Sequence, residues 1–147
     1  RKKVTGGRNG YGAKLANIFS RSFTVETSSK ETGHSYSQTW TDNMSEKQEP
    51  VIGKAAKKDF TRVTFRPDFS RFKMTHLDDD TMALMCKRVY DMGGVTHSSV
   101  KVWLNGVKLS VNNFKDYVDM YLNPDAGGAD EEKSDMDDDD GSDWEDA

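Results

Sequence analysis

Gly6-Gly7-Arg8-Asn9-Gly10-Tyr11-Gly12-Ala13-Lys14 stands almost at the start of the chain, and four of its residues are glycine. A helical pattern follows at once, with Leu15, Ile18 and Phe19 at i, i+3 and i+4 on one apolar face. Glycines let backbone N–H groups turn toward an anion and approach it closely, and a helix N-terminus adds unpaired donors and partial positive charge. Arg8 and Lys14 flank the loop and can neutralise further negative charge. Two common phosphate loops are excluded. A Walker A loop ends in Gly-Lys-Ser/Thr, whereas Ala13 separates Gly12 from Lys14 and Leu15 follows. A dinucleotide fingerprint begun at Gly10 requires glycine or alanine where Leu15 stands, and both motifs follow an apolar strand that Arg1-Lys2-Lys3 does not supply. By spacing alone, the stretch fits a glycine-rich turn capping a helix as well as it fits a phosphate site.

Beyond the loop, the pattern alternates between strand and helix. Phe23, Val25 and Thr27 alternate with Thr24 and Glu26, which predicts a half-buried strand. A turn over Ser28–Gly33 leads to Tyr36, Gln38 and Trp40 on a second strand. Residues Asn43 to Lys58 read as a polar connection around a short Val51-Ile52 strand, and Val63 and Phe65 mark another strand ended by Pro67-Asp68. The spacing predicts a helix from His76 to Met92, with Thr75 as cap, Asp78 in capping-box position, and Asp79 and Asp80 at the positive end of the dipole. Its apolar stripe is Met82, Met85, Val89 and Met92, widened by Leu77 and Leu84, and Gly93-Gly94 is expected to stop it. Asn105-Gly106 between Val100–Leu104 and Val107–Val111 predicts a two-residue hairpin. In that register Val100 faces Val111, Val102 faces Leu109 and Leu104 faces Val107, with Trp103 opposite Lys108 on the other face. A last helix is predicted over Phe114–Leu122.

Charge divides the chain. Eleven acidic residues against Lys133 alone give residues 130–147 a charge of −10, which leaves +6 on residues 1–129 of the −4 total. The tail holds few apolar residues besides Met136 and Trp144 and is expected to be disordered. A basic body suits a polyanionic partner such as a nucleotide or DNA without specifying one. The only cysteine, Cys86, rules out an internal disulfide, and His34, His76 and His97 show no metal-ligand spacing. No apolar run reaches the length of a membrane span. Asn43-Met44-Ser45 matches a glycosylation sequon, and no signal peptide precedes it.

Val4-Thr5-Gly6-Gly7-Arg8-Asn9-Gly10-Tyr11-Gly12-Ala13-Lys14-Leu15 resembles the ATP-binding loop of eukaryotic type II DNA topoisomerases. The resemblance continues through Asn17-Ile18-Phe19-Ser20, Phe23–Thr27, Gln38-Thr39-Trp40, Val63–Asp68, Lys87–Asp91 and Leu104-Asn105-Gly106. It covers roughly residues 1–122. It implies an α/β (α+β) sandwich in which a mixed, mostly antiparallel sheet packs with helices: a partial GHKL (Bergerat-type) ATPase domain. Residues 123–147 then form the acidic, disordered tail.

In such a domain Gly7, Arg8, Asn9, Gly10, Tyr11, Gly12, Ala13 and Lys14 would surround the phosphates of ATP. The resemblance also implies Mg2+, double-stranded DNA and a homodimer as partners of the full-length enzyme, a nuclear location, and no membrane association. The family's catalytic glutamate, its magnesium-binding asparagine and its adenine-binding aspartate are expected upstream of this loop, and a γ-phosphate lysine downstream, so the segment alone is expected to be inactive. Glu26 is the local candidate for a general base, but a solvated strand residue is the better reading. Asp78-Asp79-Asp80 reads as a helix start rather than a metal site, the Met stripe as core, and Trp103 as sheet-surface packing. Two other functions fit the residues less well: a non-catalytic protein whose acidic tail binds a basic partner, and a different GHKL ATPase.

Overall fold

The computed structural model describes residues 9–123. The expectations for Gly7, Arg8 and the acidic tail fall on residues outside that range. The chain divides between Leu77 and Asp78 into two compact units.

The first unit is an antiparallel sheet with one short helix, α1 (Gly12–Ile18), at its edge. Strand β1 (Ser20–Ser29) is central. It pairs with β2 (His34–Thr41) on one side and β5 (Phe60–Pro67) on the other. The alternation read from Phe23, Val25 and Thr27 is met by the register: Phe23 lies opposite Trp40 and Phe65, and Val25 opposite Gln38 and Val63. Phe23 is 4% exposed, with the Trp40 and Phe65 rings at 6.4 and 6.3 Å. These cross-strand aromatic pairs tie three strands at one level. The opposite face is polar. Thr24 and Thr39 hydroxyls hydrogen-bond at 2.8 Å, and Glu26 meets Arg62 across the strands at 3.5 Å.

The polar stretch from Asn43 to Lys58 is more ordered than a connection. It supplies β3 (Glu46–Lys47) and β4 (Val51–Lys54), and both pair with β2. The chain turns back through three consecutive left-handed residues, Asp42, Asn43 and Met44 (φ 48°, 56° and 68°). Buried Gln38 holds the return, donating from Nε2 to the Gln48 carbonyl at 2.9 Å while its Oε1 accepts from the Tyr36 hydroxyl. Strand β4 contains the short Val51-Ile52 strand read from the sequence, whereas β3, Glu46-Lys47, is built by backbone pairing alone and carries no apolar pattern.

The second unit pairs α2 (Asp79–Val95) with α3 (Phe114–Leu122) and carries the hairpin β6 (Trp103–Leu104) and β7 (Val107–Lys108). The Asn-Gly turn forms as predicted, both residues having positive φ, and Trp103 lies opposite Lys108 and Leu104 opposite Val107. The Leu109 N–H donates to the Val102 carbonyl at 2.9 Å, which continues the register. The strands are shorter than the five residues predicted. Leu109 and Val111 are buried, whereas Val100 and Val107 are exposed.

Three readings of α2 are corrected. Its cap is Asp78, whose carboxylate accepts from the Thr81 N–H at 2.8 Å, and not Thr75. Gly93-Gly94 does not stop the helix, which runs on to Val95. The Met stripe is not core: Met82, Met85 and Met92 are exposed. The reason for the last two is where α3 docks. It lies on the face bearing Lys87, Asp91 and Gly94, opposite the methionines, and the buried glycines permit the approach. A Cβ on Gly94 would lie 2.7 Å from Tyr117 Cγ, and one on Gly93 would lie 2.7 Å from the Val111 carbonyl oxygen. Helix propensity disfavours glycine here, but close packing requires it.

A polar cluster fastens the same helix pair. Tyr117 donates its hydroxyl to Asp91 Oδ1 at 2.6 Å, Lys87 Nζ reaches the same oxygen at 2.8 Å, and Arg88 contacts Oδ2 at 3.1 Å. Hydrogen bonds from Lys87 and then Tyr117 hold the Asp91 carboxyl down at about 2, against the ordinary 3.8. Hydrogen bonding to Asp91 raises the pKa of Lys87 and also that of Tyr117.

Two outcomes follow for this unit. Gly94→Ala is expected to destabilise it by about 1–3 kcal/mol through overpacking, read as a lower urea midpoint. Because the folded pKa of Asp91 is depressed, its stabilisation is complete above about pH 4 and is lost as pH falls toward 2. Urea melts of wild type and Asp91→Asn should therefore differ at pH 6 and converge at about pH 2.

Candidate functional site

Of the residues the sequence proposes for the phosphate loop, Asn9 to Lys14 are described, and all are exposed. Asn9 and Gly10 form a bend that delivers the chain into α1. Gly10 has φ +71°, in the left-handed region that favours glycine. Among the described residues nothing lies within 4 Å of where its Cβ would stand, and the positive φ is what favours glycine here. Tyr11 is the N-cap and makes no side-chain capping bond, while its carbonyl accepts from the Leu15 N–H at 2.8 Å. The first-turn amides of Gly12, Ala13 and Lys14 therefore begin a helix that Tyr11 does not cap.

The other end of α1 is held by side chains and backbone from elsewhere in the sheet unit. The Ala16 carbonyl accepts from buried Ser20 Oγ at 2.6 Å. The Ile18 carbonyl accepts from Asn43 Nδ2 at 3.0 Å, and the Phe19 carbonyl from the Asp68 N–H at 2.8 Å. Three orphan carbonyls of the last turn are thus satisfied from β1, the left-handed turn and the residue after β5. Asn43, read as a sequon, has its amide committed here.

Asp68 organises this socket. It is 3% exposed, and its carboxylate accepts from Ser70 Oγ at 2.6 Å and faces Arg21 Nε at 3.2 Å and Arg71 Nε at 3.6 Å. The Ser70 hydroxyl is the main cause of its lowered pKa, with Asn43 and Arg21 adding to the effect against the cost of burial. Asp68 was not singled out as a functional candidate, and Asn43 only as part of a glycosylation sequon. The positional signal available was Pro67-Asp68 closing a strand, which does not point to a partner some fifty residues away.

The apolar stripe of α1 is corrected as well. Leu15 and Ile18 are exposed, and the buried residue of the helix is Asn17. Phe19 lies on the outside against Phe72, with ring centroids 5.3 Å apart. Glu26 is placed in mid-sheet facing Arg62, and Asp78 is committed to its helix. Among the described residues, no three His, Cys, Asp or Glu side chains gather as a metal site.

No protein-family model matches the chain. DNA topoisomerase 2-beta of Gallus gallus is 57% identical over 121 residues, which is 82% of this chain and 7% of that protein. The ATPase region of Saccharomyces cerevisiae topoisomerase II, solved bound to ICRF-187 (dexrazoxane), superposes with a TM-score of 0.79 at 50% identity. That match covers 83% of this chain and 32% of the solved one. Over this span the chain belongs to the eukaryotic DNA topoisomerase II family. The ATPase and transducer domains of the Balamuthia mandrillaris enzyme agree, with a TM-score of 0.78 at 47% identity over 84% of this chain and 32% of that one. The α+β architecture of this topoisomerase II segment is thus that of the family's ATPase region. The segment spans less than a tenth of the length of the curated topoisomerases it matches.

The socket predicts a separable effect. Asn43→Ala or Asp68→Asn should speed amide hydrogen exchange through Leu15–Phe19 and leave exchange in α2 and α3 unchanged. Mass spectrometry of the exchanged chain reads both at once.

Proposed function

We propose that Asn9–Lys14, together with Gly7 and Arg8, closes over the phosphates of ATP in a type II DNA topoisomerase. The observation that carries this is the helix start. A left-handed Gly10 leads into the Gly12–Lys14 amides without a cap from Tyr11, in a segment 50% identical to a topoisomerase ATPase region. Such amides favour an anion through hydrogen bonds and through the helix dipole. Exposed Lys14 in the first turn adds a positive charge to the same end.

The parent protein, on this reading, is an ATP-hydrolysing isomerase that passes one DNA duplex through a transient break in another. It works as a nuclear homodimer with Mg2+ as the nucleotide's companion. The magnesium ligand and the general base belong to parts of the ATPase region outside this sequence. Glu26 is no substitute, since its carboxylate is engaged by Arg62 in mid-sheet. This segment therefore contributes phosphate binding and not proton transfer.

Two measurements test the reading. The 147-residue chain should show no ATP turnover, and measurable turnover would place a complete catalytic set within it. In a longer protein that carries this segment and hydrolyses ATP, Gly10→Ala should raise KM for ATP about tenfold, since a left-handed alanine costs roughly 1–2 kcal/mol. An unchanged KM would remove the loop from the nucleotide site.

A further inference from the structure

The outer face of the β6–β7 hairpin carries an exposed tryptophan between lysines. Trp103 lies directly opposite Lys108, and side chains so paired stand about 5 Å apart at Cβ. Exposure alternates along both arms: Lys101, Trp103 and Lys108 are exposed, whereas Val102 and Leu104 are half-buried and Leu109 is buried. Lys101 therefore shares the face of Trp103, about 7 Å along the arm. The indole, read from the sequence as sheet-surface packing, is 49% exposed.

The hairpin is held from behind. Asn105 and Gly106 both adopt the left-handed backbone of the tight turn, and the Leu109 N–H donates to the Val102 carbonyl at 2.9 Å. Beyond it, buried Val111 lies against Gly93 of α2, so the second arm is seated on the helix. The surroundings are basic. No acidic residue occurs between Asp91 and Asp116, a stretch that holds Lys101, Lys108 and Lys115. Asp91 is engaged by Lys87 and Arg88, and Lys115 reaches Asp119. Among the described residues neither Lys101 nor Lys108 forms an ion pair.

We propose that this face of the hairpin binds single-stranded nucleic acid, with Trp103 stacking on an unpaired base and Lys101 and Lys108 taking the neighbouring phosphates. Two uncommitted lysines select a polyanion, and the flat indole selects one that presents π-faces, since any base can stack on it. A base inside a duplex is covered by its neighbours, so the single strand is the form that suits the site. An acidic peptide would satisfy the lysines and leave the indole unused. Because the hairpin is rigid, the ring is presented with little conformational freedom left to lose on binding. Lysines act as point charges, so the contact tolerates any base sequence and weakens with salt. The inference is independent of the nucleotide-loop reading.

Fluorescence anisotropy of a labelled oligothymidylate of roughly 12 nucleotides, within the usual site size, tests it on the complete chain. Trp103→Ala should weaken binding about tenfold, and Trp103→Phe, which keeps a ring to stack, should recover most of the loss. Lys101→Gln/Lys108→Gln should lower the slope of log affinity against log salt by about 1.4, at roughly 0.7 for each phosphate contact. Lys30→Gln/Lys54→Gln, on the sheet unit, should leave both affinity and slope unchanged. Photocross-linking of the wild-type chain to the same oligonucleotide carrying 5-bromouracil, mapped by peptide mass spectrometry, should label Trp103 without recourse to any variant. Affinity unmoved by Trp103→Ala, an equal loss in the Lys30/Lys54 variant, cross-links only outside the hairpin, or tighter binding to the matching duplex would each overturn the proposal.

Discussion

Strand β1 is hydrogen-bonded along both edges, and everything positioned in the sheet unit is positioned relative to it. Its register with β2 and β5 puts Phe23 between Trp40 and Phe65 and fixes where the two neighbours begin and end. A one-residue slip would turn Phe23 to the polar face beside Thr39 and Thr64. The start of β1 then determines where α1 ends. Ser20 bonds back to Ala16, and the irregular pairing at Ser20–Ser22 brings Asp68 under Phe19. Helix α1 is thus oriented by a strand register rather than by its own apolar face.

That distinction explains what was legible in the sequence. Strand alternation at Phe23–Thr27 and the Asn105-Gly106 hairpin are local signals with a physical period or a demanding turn, and the structure repeats them. The loop was legible as a glycine pattern and, by resemblance, as a family marker. The socket was not legible, because it joins Asn43 and Asp68 to α1 through polar contacts that have no periodicity. The strands β3 and β4 were read only in part for the same reason, being recruited by the backbone of β2.

Helix α2 shows how a correct pattern can be assigned the wrong role. Met82, Met85, Val89 and Met92 do form a stripe, but α3 lies against the other side. Glycine pairs usually end helices because glycine readily adopts left-handed backbone. Here Gly93 and Gly94 remain helical, and their value is the missing Cβ beneath Tyr117 and Val111. The Lys87–Asp91–Tyr117 contacts then fix the helix pair where apolar burial alone would leave it able to slide.

Helix α1 has a further mechanical consequence. Its last turn is clamped by three carbonyl contacts, while its first turn is exposed, so it behaves as a cantilever rooted at Asp68. Seven residues give a lever of roughly 10 Å, and a tilt of about 6° at the root displaces the tip by about 1 Å. A displacement of that size at a reacting centre can cost about a hundredfold in rate. Substitutions at the root would therefore be felt at the tip without touching anything bound there, and a load on the tip would be transmitted back to the end of β5.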